Sequence, residues 1–217
     1  MQLPNLNIGM YSPRFARPRQ LERVNELTVD TSPLSRPEGL YVPQSPNQIA
    51  GAVWVSAVLN TYHIKNAAIE FLTQNEQDFF TYERSPKDLY STVEIFNRKA
   101  APYSWSYSLT RVNSWVDLLL ALVEGCTVMV GGSVYESFYK AEISGIVPMP
   151  KPGEALLGGQ IINMISFDQK EDTGQAIGNM GRDVGRRGLF TYRGSYLRNL
   201  QICGDFFVLV PRYEHAN

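Results

Sequence analysis

The sequence is poor in the residues that most often carry chemistry. It has two cysteines, Cys126 and Cys203, and two histidines, His63 and His215, in 217 residues. Two cysteines make no disulfide framework, and four such widely separated ligands give zinc no cluster. Two ordinary buried thiols are the expectation, with a single disulfide as the alternative, and a reducing compartment suits either. A net charge of −1 provides no general field for nucleic acid or an anionic membrane. Long apolar runs are also missing. The longest, "WVDLLLALV", is broken by Asp117 and is too short to span a bilayer. The N-terminus has no charged-then-apolar signal pattern, so a cytoplasmic rather than a secreted protein is expected.

Cofactor motifs are equally scarce. "VGGS" at 130–133 is glycine-rich enough for a phosphate cradle, but no lysine-threonine pair follows, and it reads as a tight turn at a strand end. Asp168, Glu171 and Asp172 surround Lys170, with Gly174 after them. That is a poor calcium loop and reads as a solvated hairpin. No cofactor and no metal are expected.

What the chain does have is enough apolar material for a core, at 44% hydrophobic and 19% charged residues. Its length fits one good-sized domain. Residues 1–46 stand apart. Seven prolines from Pro4 to Pro46 lie there, with Arg14, Arg17, Arg19 and Arg23 among them. Proline removes backbone donors and favours extended geometry, so this segment reads as an arm that wraps over a core, its own or a neighbour's. The domain proper is 47–217.

The spacing of Val53, Ala57, Asn60 and Ile64 predicts a helix from about Ala52 to Lys65. A second is predicted from Pro86 to Lys99 with Ser85 as its N-cap, and a third over "WVDLLLALVEG", capped by Asn113 or Ser114 and ending at Gly125. Then the period changes. "CTVMVGGSVY", "GGQIINMISFD", "GLFTYRG" and "CGDFFVLVPRY" are short, β-rich and bounded by glycine. Helices first and strands later give a segregated α+β class. Tyr103, Trp105, Tyr107 and Trp115 are read as core, with a flat contact surface as the alternative.

The order of these pieces resembles the papain-like cysteine peptidases over roughly residues 33–210. "GAVW", Gly51 to Trp54, stands in the frame of that family's G-S-C-W turn. "ALVEGCTVMVGGSVYESF" fits its glycine-ended helix, strand and V-Y-x-S-F. "LGGQIINMISFD" matches the strand opened by G-G-H, and "GNMGRDVGRRG" keeps the glycines of N-S-W-G-x-x-W-G-x-x-G at Gly181, Gly185 and Gly188. Tyr196-Leu197 and "GDFFVLV" close the series. The resemblance implies a papain-like fold, in which a helical half precedes an antiparallel β half. It puts the nucleophilic cysteine at Val53, the histidine at Gln160, the orienting asparagine at Gly178 and the oxyanion glutamine at Asn47, or at Gln48 if the gap shifts by one.

That substitution pattern removes the chemistry. The family mechanism needs a thiolate activated by an imidazole. Valine has no lone pair to give, and an amide is neither a useful base nor a useful acid near neutral pH. The expectation is an inactive pseudopeptidase: a structural or docking subunit of a larger protein assembly, specifically a tailed-phage virion part in the tail or baseplate. Its partners are other protein subunits; no membrane, nucleic acid or small-molecule substrate is indicated. Arg182, Arg186, Arg187, Arg193 and Arg198, opposed by Asp183 alone, and the arginines of the arm are the candidate partner surface. Two alternatives stand beside this. One is a regulatory decoy that holds a peptide or inhibitor in an open groove beside Trp54 and Gln160. The other is an active hydrolase with a different nucleophile, either Ser56, whose blander role is to bond a carbonyl one turn back, or a residue in another register of the resemblance.

Overall fold

The computed structural model describes residues 48–62, 88–103, 105–178, 180–181 and 183–213. The predicted arm, Asn47, His63, His215 and Arg182 lie outside the described residues. In chain order the elements are α1 (Gln48–Tyr62), α2 (Leu89–Ala100), β1 (Trp105–Arg111), α3 (Trp115–Val123), β2 (Val128–Tyr135), α4 (Tyr139–Ser144), β3 (Leu156–Asp168), β4 (Thr173–Ile177), β5 (Leu189–Arg193), α5 (Gly194–Leu197) and β6 (Cys203–Tyr213). The class is α+β. The six strands form one sheet in the order β1-β6-β2-β3-β4-β5, and every neighbouring pair is antiparallel.

Strand alternation divides the interior in two. On β2, Val128 and Val130 face one side and Met129 the other. On β3, Ile162 and Met164 oppose Ile161 and Ile165, and on β6, Phe206 and Val208 oppose Phe207 and Leu209. The first set packs with α3, Ala141 of α4 and α5, the second with α1 and α2. The sheet is thus buried on both faces.

Local chemistry sets the helix ends. Ser114 caps α3: its Oγ accepts from the Asp117 N–H at 3.1 Å and donates to the Asp117 carboxylate at 2.8 Å. The helix gives way to Gly125 at φ +82°, as read from the sequence. The cap of α2, however, is Asp88 rather than Ser85. Its carboxylate accepts from the Ser91 N–H at 2.8 Å and the Ser91 hydroxyl at 2.7 Å, and the helix starts at Leu89. Two strands were not foreseen, β1 and β4. The 169–172 segment is the turn of the β3–β4 hairpin, as expected.

"VGGS" is not a turn. Gly131 and Gly132 lie inside β2, at a bulge in its pairing with β6. A Cβ on Gly132 would come within 3.2 Å of the Cys203 sulfur, so these glycines permit close approach of the neighbouring strand.

Candidate functional site

The region of interest is α1 and the strand ends against it. The helix begins at Gln48, four residues before the expected start, so Ala50-Gly51-Ala52 is helical and Val53 lies in the second turn rather than at the tip. Small residues carry no penalty that would break the helix there, apart from glycine's modest entropy. Val53 is 0% exposed and belongs to the same apolar cluster as Ile161, Ile177 and Leu189. Burying such a side chain stabilises the fold by about 1.5–3 kcal/mol.

The structure does not bring the side chains of Val53, Gln160 and Gly178 together. Gln160 shares its strand phase with Ile162 and Met164 and therefore faces away from α1. Its Nε2 donates to the Tyr192 hydroxyl at 3.0 Å, inside the other core. Gly178 follows Ile177 and falls on that same far face. A Cβ there would sit 2.6 Å from Cε2 of Phe190. The expected facing trio is therefore corrected: strand alternation presents Ile161 and Ile177, not Gln160 and Gly178, to the cluster that holds Val53.

Other nucleophiles are poorly placed. Cys126 is half-buried and Cys203 is buried, and both are free thiols. Burial pushes the Cys126 thiol up to about 11, with Glu124 adding to the effect, and the Cys203 thiol up to about 12. Neither is a thiolate near neutral pH. Ser56 is fully buried and does not bond a carbonyl one turn back. It donates to Asn163 Oδ1 at 2.7 Å and accepts from the Thr127 hydroxyl at 3.3 Å. Thr127 shares that hydroxyl proton with Asn60 Oδ1 (3.0 Å), to which its N–H also donates (2.7 Å), and Asn60 Nδ2 donates to the Leu209 carbonyl at 2.7 Å. Sequence reading missed this network; its one signal was a lone asparagine inside the apolar run "INMI".

The arginine patch breaks up. Arg186 and Arg187 precede β5, whereas Arg193 ends it and Arg198 follows α5. Asp183 is not the sole opposing charge, because Arg198 forms a two-pronged pair with Asp172 at 2.8 and 2.9 Å and lies 5.3 Å over the Trp115 ring. Trp105 and Tyr107 are buried, and Trp115 packs edge-on against Phe167 at 4.9 Å, so these aromatics are core rather than contact surface. Among the described residues, no three His, Cys, Asp or Glu side chains come together as a metal site, and no helix is long and apolar enough to cross a membrane.

No protein-family model matches the chain. Among solved structures it is similar to xylellain, a cysteine protease from Xylella fastidiosa, with a TM-score of 0.66 and 18% identity over 82% of this chain and 84% of that one. The fold is papain-like. Among curated proteins the chain is similar to an uncharacterized peptidase C1-like protein of Acanthamoeba polyphaga mimivirus, 29% identical over 91 residues. That match spans 41% of this chain and 29% of the relative's length. The similar proteins are thus a cysteine protease and an uncharacterized peptidase C1-like protein, in line with the sequence resemblance.

Proposed function

We propose that this chain is a non-catalytic papain-like domain that serves as a docking or structural subunit of a larger protein assembly. The observation that carries the reading is Val53: a buried hydrocarbon, clustered with Ile161 and Ile177, at the position to which the sequence resemblance assigns the family's thiolate. Nucleophile and base act as a unit, so losing both leaves little turnover. Both thiols of the chain are held protonated elsewhere.

A docking role is supported by apolar side chains left in the open. Tyr139, Ile143 and Ile146, within one short stretch at α4, are 58%, 88% and 62% exposed. The finer setting we propose is a virion component, and a virus encodes one of the relatives. The decoy reading asks Trp54 and Gln160 to line an open groove. Both are buried and they face different cores, which favours docking over peptide capture. Use of Ser56 is disfavoured in the same way, by its burial and its amide partner.

The test is the full-length chain with a panel of fluorogenic peptides, and native mass measured alone and with proteins of the same source. The reading expects hydrolysis no faster than buffer and complexes well above the 24.5 kDa monomer. Peptide turnover overturns the non-catalytic half, and a strict monomer under every condition overturns the assembly half.

A further inference from the structure

Every residue of α1 from Gly51 to Thr61 is buried. A helix that is apolar all round has no single stripe to turn toward a core, and the hydrophobic effect that buries it is non-directional. Packing alone therefore leaves its rotation and axial position weakly specified. Hydrogen bonds are directional, and α1 carries three buried polar side chains, Ser56, Asn60 and Thr61.

Their partners follow the order of the sheet. The Thr61 hydroxyl pairs with the Tyr107 hydroxyl of β1 at 3.0 Å. Asn60 Nδ2 reaches the Leu209 carbonyl of β6. Asn60 Oδ1 and Ser56 Oγ meet Thr127, immediately before β2. Ser56 then donates to Asn163 of β3. Read from residue 61 back to 56, the helix bonds β1, β6, the start of β2 and β3, which is the order in which those strands lie side by side.

We infer that this polar series is a positional lock, which fixes the rotation and the axial register of α1 across four strands that apolar packing alone does not fix. A slip of one residue turns each side chain by about 100°. It would strand the Thr127 N–H, the Leu209 carbonyl and Asn163 in the interior, and such orphaned groups are rare because they are costly. The lock is independent of whether the domain is catalytic.

The test uses full-length variants that remove both partners of one contact, so that no buried group is orphaned. These are Ser56→Ala with Asn163→Leu, and Thr61→Val with Tyr107→Phe. Asn163 Nδ2 has no partner as it stands, so the first pair lowers the urea midpoint little. Expected in each is amide exchange in α1 at least tenfold faster relative to the amides of β2 and β6. Broadened or doubled α1 resonances and a weaker near-ultraviolet signal from Trp54 accompany it. Single sharp α1 resonances with the wild-type ratio of protection overturn the inference. So does uniform loss of protection in helix and sheet alike, which is a plain loss of stability. Tyr107→Phe alone, which removes one hydroxyl and almost no volume, is read the same way should a paired variant fail to fold.

Discussion

At Gly178 the missing side chain has been replaced by someone else's. The Phe190 ring occupies the space where a Cβ would go, at 2.6 Å from Cε2 and 3.1 Å from Cδ2. Gly178→Asn, which installs the residue that the sequence resemblance leads one to expect there, therefore overpacks a buried site and is predicted to cost about 1–3 kcal/mol, read as a lowered melting temperature. The combined Val53→Cys, Gln160→His, Gly178→Asn chain is predicted to gain no peptidase activity, because alternation keeps positions 160 and 178 off the face that carries residue 53. The thiols give a pH prediction. Their folded values, about 11 and about 12, lie above the ordinary 9.0. Stability from burying them neutral is complete below about pH 9 and is lost as pH rises through the folded values. A denaturation series from pH 8 to 11 should show that decline, and a flat profile would contradict it. The helix that carries Val53 was legible in the sequence, because its signals are local. The direction of Gln160 was not, because the phase of a strand is set by register with its neighbours.

Elements were legible where local signals agree. Ser114 and Gly125 bracket α3, and β-rich runs between glycines gave β2, β3, β5 and β6. The second cap was misplaced because Ser85-Pro86 and Asp88 both suit a helix start, and only the bonds from Ser91 decide between them. Asp88→Ala should cost about 1 kcal/mol. Those bonds from Ser91 lower the Asp88 carboxyl pKa below the ordinary value of 3.8. The cap's contribution is thus full above about pH 4 and fades as pH falls through the lowered folded value. Urea midpoints of the wild type and the variant should converge in acid. One of the two missed strands, β1, lies at the sheet edge. There the side chain of Asn97 acts as a neighbouring strand, donating to the Tyr107 carbonyl at 2.8 Å and accepting its N–H at 2.7 Å. Such an edge cap is invisible to periodicity. Asn97→Ala leaves both groups unpaired and should cost about 1–3 kcal/mol in a urea melt.

At the scale of the whole molecule, a two-faced antiparallel sheet with helices on both sides accounts for the long apolar runs on β3 and β6, which a one-sided sheet would not need. The papain-like resemblance came from the order of weak motifs, not from any one of them. What it could not supply was the interior polar series on α1, since hydroxyls and amides inside apolar runs reveal their partners only once distant strands are assembled. On the function proposed above, this scaffold is filled where a thiolate would act. Intact mass after brief exposure to a peptidyl thiol-reactive electrophile tests it most directly. The prediction is no stoichiometric adduct on the native chain and two adducts, on Cys126 and Cys203, once it is denatured. A single rapid native adduct, lost on Cys126→Ala or Cys203→Ala and accompanied by peptide hydrolysis, would contradict it.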